Sequence, residues 1–509
     1  MFPLTDNNAA AMIRPSASMQ RTWITLSLLL LLLPGCSVRN TAIGDAVETS
    51  VPTAPPARHV FLFIGDGMGL AQVELARALL PEGDSLAMTS LPVTGLVSTH
   101  ALDHYITDSA AAGTALATGH GTMVGTIAMG SNRLDTLKTI VEIAETAGMR
   151  TGIVTSVGID NATPACFYAH SPSRTRIHDI ASQMVGSGVD YFAGGYAEGN
   201  FPLMRARAEL DYGDIDSLML AGGYRIARNA RELREVQPGK PVWAYGQYGR
   251  SAAMAFAMDA DSREMDLAAY TGEGIRLLEN PKGFFMMVEG GKIDWACHGN
   301  DAAAVAHDVA SFDRAVRQAL AFYRSHPSST LIVVTADHEC GGLSLGNTAG
   351  GYESRPRLLL NQKLSLERFM DKVALWRSER RVTFPMALDS LEVFFGLGSP
   401  RDSALVLSAR NRRELQVAFT SSMAPFPAPD RFSPAVSAIL NRRAGIGWGS
   451  RVHTAVPVPV FAIGAHAGMF SGSYPNTVLG QRLMQAAGFS GATDPHPGEF
   501  SPAPARSAP

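Results

Sequence analysis

The chain has 509 residues, 46% hydrophobic and 17% charged, a globular composition with length for one large domain carrying insertions or for two domains. Lysine plus arginine number 43 against 46 acidic residues, and the net charge of −3 gives no ground for nucleic-acid-specific binding. Four cysteines are too few for a dense disulfide framework.

Arg14 and Arg21 precede an apolar run from Trp23 to Leu33, too short to span a bilayer comfortably and suited to a signal-peptide core. The run ends in Leu33-Pro34-Gly35-Cys36, which resembles a bacterial lipoprotein signal with Cys36 as the lipidated first residue. Residues 1–36 are therefore expected to direct export, to the periplasm or to a lipid anchor in the outer membrane if the source is Gram-negative. The anchor is the only membrane contact expected. Residues 37–57, with Pro52, Pro55 and Pro56, read as a linker, and the folded domain is expected over 58–490.

Within that domain strand-like and helical runs alternate: His59 to Ile64, then Ala71 to Leu80; Thr151 to Val157; Tyr191 to Ala193; Gly283 to Val288, then Ala302 to Tyr323; Leu331 to Val334; and Val458 to Ile463. The alternation predicts an α/β fold, a doubly wound and mainly parallel central sheet with helices on both faces. The pattern weakens over about 342–450, which reads as an insertion. Its basic residues, among them Arg368, Lys372 and Arg377, are interspersed with Glu367, Asp371 and Glu379, as on a solvated helix face. Residues 491–509, rich in Pro, Ala and Ser, are expected to be disordered.

Chemistry-bearing residues sit just past the predicted strands. Gly65-Asp66-Gly67-Met68-Gly69 spaces its glycines differently from the G-x-G-x-x-G dinucleotide fingerprint, and a carboxylate in a tight turn at a strand end suits a metal ligand. Thr107-Asp108-Ser109 leads into a small-residue helix from Ala110 to Ala117, so Ser109 lies at a helix N-terminus, where N–H groups and the dipole favour an anion. Asp294 and His298 are four apart and share one helix face, as zinc ligation requires, while Glu289, at its strand end, suits a harder cation. Asp337-His338 add an oxygen and a nitrogen donor after another strand. Cys297 and Cys340 adjoin histidines but lack a paired spacing and stand beside better ligands, so both are set aside as zinc donors; with Cys166 they allow at most one bridge.

Six segments carry a more specific signal: Ile64 to Gly69, Asp108 to Ala111, Ala162 to Arg174, Met287 to His298, Thr335 to His338 and His453 to Phe461. In content and order they resemble the alkaline phosphatase family. The resemblance implies hydrolysis of small phosphate monoesters through a phosphoserine at Ser109, on a site of two Zn²⁺ and one Mg²⁺, with the insertion as a crown-like subdomain. It implies Asp294, His298 and His453 on the first zinc, and Asp66, Asp337, His338 and the Ser109 oxygen on the second. Asp66, Thr163 and Glu289 would hold magnesium, and Arg174 would clamp phosphate with its planar fork. Asn161 and Trp295 stand in the surrounding shell, where other members have Asp or His and Lys or His. The resemblance is also the only ground for expecting a homodimer.

Two other readings compete. A phosphodiesterase or sulfatase of the same superfamily is opposed by Thr163, Glu289 and Arg174, and a non-catalytic lipoprotein that binds phosphate or metal is opposed by the complete set of donors plus Ser109. His466 is a substitute for His453, which fits the family position better. His170 reads as a packed histidine, His100, His104 and His120 surround the nucleophile segment, and Tyr105 and Trp243 are candidates for a substrate mouth.

Overall fold

The apolar run His59–Ile64 forms strand β1, buried along its whole length, and the rest of the fold is laid out on either side of it. The computed structural model describes residues 55–489, apart from 250, 349 and 426–428. The expected signal segment with Cys36, most of the linker and the C-terminal tail lie outside the described residues.

The further strands are β2 (Val93–Ser98), β3 (Arg150–Thr155), β4 (Tyr191–Gly194), β5 (Arg225–Ala227), β6 (Val242–Tyr245), β7 (Phe284–Glu289), β8 (Thr330–Thr335), β9 (Glu339–Cys340), β10 (Leu343–Ser344), β11 (Gly447–Trp448), β12 (His453–Thr454), β13 (Val458–Gly464) and β14 (Gly472–Pro475). Ten of them make one sheet in the order β14-β2-β13-β8-β1-β7-β3-β4-β6-β5. Within this sheet, among the described residues, only β13 runs antiparallel, against both β2 and β8. The mainly parallel sheet expected from the sequence is thus present, with each predicted strand within two residues of its place. Strands β2, β5, β6 and β14 carried no comparable apolar signal, because three are short and β2 is half exposed along alternate residues.

Side chains alternate across β1 and β7, and both faces are covered. Phe61 and Phe63 meet Phe322 and Phe312 of helix Ala302–Ser325, while Phe285 stacks on Phe167 on the other side. Trp243 is fully buried on β6, stacked 5.4 Å from Tyr196, so the substrate-mouth reading of this residue is corrected.

Register sets up the site. Ile64 of β1 pairs with Glu289 of β7 and Thr335 of β8, and Thr155 of β3 pairs with the same Glu289. Four neighbouring strands therefore finish level, and the loops that leave them converge above one edge, where open α/β sheets build their sites.

The segment after β8 departs from the sheet through two short ladders, β10 with β11 and β9 with β12. Between them stand helices Leu366–Glu379, Phe384–Phe395, Ala409–Ser422 and Phe432–Ala444, which pack Phe369, Phe395, Phe419 and Phe432 against one another. Asp301 fastens this segment to the core: it caps helix Ala302–Ser325 and also accepts from Leu366 N (2.6 Å) and Gln362 Nε2 (2.8 Å). No helix among the described residues is long and apolar enough to cross a membrane.

Candidate active site

The loop after β1 turns sharply at Gly67, whose φ of +70° favours glycine and whose missing side chain leaves room for Asp294: a Cβ there would lie 2.9 Å from Asp294 Oδ1. Gly67 N also donates to Asp337 Oδ1 at 3.1 Å. The glycine is there to bring three carboxylates together, which accounts for a Gly-rich loop without the nucleotide spacing. Asp66 beside it is buried.

Helix Ser109–Thr118 is composed of small residues and is buried throughout. Its close approach to helix Asn476–Ala486 depends on Gly480, where a Cβ would meet the Ala115 carbonyl at 2.5 Å. Asp108 is the N-cap, accepting from Ala111 N at 3.0 Å and from Gly125 N at 3.1 Å. Ser109, the first helical residue, has its Oγ 3.3 Å from His338 Nε2. Arg174 reaches over from its loop to Asp108, Nη1 to Oδ2 at 3.1 Å, with Nη2 3.4 Å from Asn161 Oδ1. Asn161 also caps the short helix Ala162–Ala165 that holds Thr163.

Helix Lys292–Gly299 carries Asp294 and His298 one turn apart, Oδ2 to Nε2 at 3.2 Å. His453, in β12, sits with Nε2 3.7 Å from Asp294 Oδ1 and its ring stacked 3.6 Å from that of His338. Each histidine is oriented through its other nitrogen, His298 Nδ1 on the Arg451 carbonyl (2.5 Å) and His453 Nδ1 on the Thr107 carbonyl (2.9 Å). His338 Nε2 lies 3.2 Å from Asp337 Oδ2 and 3.5 Å from Asp66 Oδ1. At the end of β7 one Glu289 oxygen accepts from Thr155 Oγ1. Its carboxyl also neighbours Thr163 and Asp66.

The residues singled out from the sequence thus converge, and two groups of donors are close enough to share an ion each. Asp294, His298, Cys340 and His453 place one donor atom apiece within 4.8 Å of one another, and so do Asp66, Asp294 and His338. Six buried polar atoms among the predicted ligands make no hydrogen bond: Asp66 Oδ1, Thr163 Oγ1, Glu289 Oε1, Asp294 Oδ1, Asp337 Oδ2 and His338 Nδ1. Buried polar groups are normally satisfied, so orphans concentrated at one place mark a cradle for something absent from the polypeptide.

Charge points the same way. Burial, reinforced by Asp337, Asp294 and Glu289, pushes the Asp66 carboxyl well above its ordinary range. Burial raises Glu289 to about 8 and, with Asp294 nearby, Asp337 to about 6. Burial also lowers His338 to about 4, leaving a neutral ring with a free lone pair. Asp294 goes the other way: burial alone would raise it, but the hydrogen bond from His298 and the nearby imidazoles hold it low, and the same bond raises His298 to about 11. Several carboxylates gathered in a dry site need cations, and oxygen and imidazole donors in these numbers fit divalent metals.

The family model for alkaline phosphatase matches residues 57–489. The chain belongs to the alkaline phosphatase family. Hydrolysis of phosphate monoesters is the reaction of that family, and this chain is an enzyme of that class. It is 30% identical over 435 residues to alkaline phosphatase 4 of Bacillus subtilis, covering 82% of this chain and 86% of the relative. Streptomycin-6-phosphate phosphatase of Streptomyces griseus is 33% identical over 358 residues, 59% of this chain and 77% of that one. The crystal structure of a cold-active alkaline phosphatase from the psychrophile Shewanella sp. superposes with a TM-score of 0.72 at 28% identity, covering 84% of this chain and 99% of the other.

Other residues fall outside the site of this phosphatase-family chain or went unnoticed in its sequence. His466 donates to the Pro55 carbonyl rather than joining the donors, and His170 is packed between the Ala128 carbonyl (2.8 Å) and Glu142 (3.3 Å), as expected. His104 pairs with Asp103, His120 bonds its own turn, and Tyr105 is exposed. Asp108 as the partner of Arg174 carried no signal beyond its capping position. Lys292 carried none either, yet its ammonium is buried over the rings of Phe256 (3.6 Å) and Trp295 (4.6 Å).

Proposed function

We propose that phosphate monoesters are cleaved by attack of Ser109 Oγ on phosphorus, giving a phosphoserine and releasing the alcohol, after which water cleaves the phosphoserine to regenerate Ser109 and free phosphate. The reading assigns two zinc ions and one magnesium ion: Asp294, His298 and His453 for the first zinc; Asp66, Asp337 and His338, with Ser109, for the second; and Asp66, Thr163 and Glu289 for magnesium. The observation that carries it is the set of orphaned donor atoms on the converging loops, one of whose residues, His338, lies 3.3 Å from Ser109 Oγ through its Nε2.

Bound divalent metal would lower the pKa of a hydroxyl or water and offset the negative charge of the transferring phosphoryl group. The chain's own groups do the rest. The helix N-terminus that begins at Ser109 directs N–H groups at the phosphate. Arg174, fixed by Asp108, presents its remaining donors to the equatorial oxygens, and its planar fork suits a dianion better than a diester. The ring nearest to Ser109 among the described residues, His338, is assigned to the second zinc and stacks on His453, so the reading gives it no general-base role. Export through residues 1–36 with an anchor at Cys36, supported by the sequence of that segment, and a homodimer, supported by the family resemblance alone, are further parts of the proposal.

The test is p-nitrophenyl phosphate hydrolysis at alkaline pH by protein starting at residue 37, with zinc and magnesium, beside Ser109→Ala. Zinc-dependent turnover that collapses in the variant supports the reading. Faster turnover of diesters or sulfate esters than of monoesters by the folded, metal-loaded protein overturns it.

A further inference from the structure

His453 and Cys340 face each other across the β9–β12 ladder. Directly opposed residues of an antiparallel pair project to the same face, with Cβ atoms about 4.5–5.5 Å apart. The ladder therefore delivers a thiol to the same spot as an imidazole, and Cys340 Sγ lies within 4.8 Å of donor atoms of Asp294, His298 and His453. Cys340 is fully buried, with Sγ 3.9 Å from the Asp294 carbonyl oxygen. Asp294 Oδ1 beside it is buried and has no hydrogen-bond partner. Gly67 closes the wall from the other side, since a Cβ there would touch both Cys340 Cβ and Asp294 Oδ1 at 2.9 Å.

Cys297 does not share this position. It precedes His298 on the helix, so its side chain points about 100° away around the axis. Its Sγ lies 3.8 Å from Gln72 Nε2 and neighbours the Cys340 thiol, but is not within reach of the whole shared donor group.

We infer that Cys340 is an additional protein ligand of the first metal, adding a sulfur donor to the oxygen and nitrogen donors of Asp294, His298 and His453. The inference rests on the metal-centre reading above. As the sulfur–metal bond forms, the thiol proton passes to solvent. A thiolate donor makes this position selective for zinc, cobalt and other borderline or soft ions over magnesium, calcium and manganese, whereas the Asp66, Thr163 and Glu289 position has only oxygen donors and suits magnesium.

The experiment loads the metal-free, phosphine-reduced protein with Co²⁺ and records its absorption spectrum together with its cobalt content. A cobalt–thiolate bond gives a near-ultraviolet charge-transfer band that oxygen and nitrogen donors do not. Wild type and Cys297→Ser are expected to show the band, and Cys340→Ser to bind cobalt without it. Zinc affinity of the first site in Cys340→Ser is expected to fall at least about tenfold. Bound cobalt with visible ligand-field bands but no charge-transfer band in wild type, or a band unchanged in Cys340→Ser, overturns the inference and leaves the metal centre standing. Absence of bound cobalt in folded wild type overturns the metal centre itself.

Discussion

Arg174 and Asp108 form a pair in which the acid does two jobs: Oδ2 holds the guanidinium at 3.1 Å, while Oδ1 caps the helix that begins with Ser109. The proposed nucleophile and the proposed phosphate clamp are thus referenced to one carboxylate. Burial would raise that carboxyl, but Arg174 and the N–H groups of Ala111 and Gly125 hold it below its ordinary range, so it stays ionised across neutral and alkaline pH. Arg174→Ala is expected to lower kcat/KM for a monoester by about 10²-fold, the usual cost of one donor to a developing oxyanion, with little change in Tm. Asp108→Asn keeps an oxygen for the cap and is expected to lose less than about tenfold, with phosphate inhibition altered more than kcat. Steady-state kinetics with phosphate as inhibitor checks both, and equal losses in the two variants would contradict the clamp.

Metal binding should stabilise the protein more as pH rises. Asp66, Glu289 (about 8) and Asp337 (about 6) all have carboxyls raised above their unfolded values, mainly by burial. In metal-free protein the folded state therefore binds protons more tightly than the unfolded state. The stability from that binding is complete at acidic pH below the unfolded values and is lost as pH rises through 6 and then 8. Bound cations of the proposed centre would replace those protons. Thermal melts of chelated and zinc- and magnesium-loaded protein should diverge steadily from mildly acidic to alkaline pH, and a constant difference would count against the buried-carboxylate cradle.

Trp295→Lys separates charge from packing. A cation in place of the indole should tighten phosphate inhibition severalfold and so slow product release. It should also lower Tm, because Trp295 and Phe256 enclose the buried Lys292 ammonium, and losing one desolvated cation–π contact costs about 2 kcal/mol before like-charge repulsion is added. Unchanged phosphate inhibition would show that residue 295 does not feel the phosphate.

The inserted helices are held partly by Asp301. Asp301→Ala would leave Leu366 N–H and Gln362 Nε2 without this acceptor in a buried place and would remove the cap of Ala302–Ser325. Each loss is worth about 1–3 kcal/mol. The expected result is a lower Tm and faster limited proteolysis within about 342–450, with the donor residues intact.

The centre of the sheet was legible because β1, β7 and β8 are continuous apolar runs buried on both faces, the pattern typical of a parallel sheet. The edges were less so, since β2 alternates exposed and half-buried residues and β5 has three residues. At the site, residues next to strand ends declared themselves through their types. Partners from distant segments did not. Nothing in the spacing of Thr155 connects it to Glu289, and Cys340 looked incidental because no second cysteine stands near it at a zinc-ligand interval. What brings its sulfur among the donors is the pairing of β9 with β12, a contact across the whole insertion that no local pattern encodes.

The hydrogen bond between His453 Nδ1 and the Thr107 carbonyl spans 346 positions, and the proposed donors extend from residue 66 to residue 453. A chain that ends before β12 contains eight of the ten strands of the sheet but lacks His453, the residue that closes the first donor group. The donors assigned to the second zinc and to magnesium are all in place by residue 338, so capture of the first metal would be the one step that waits for the chain to pass β12.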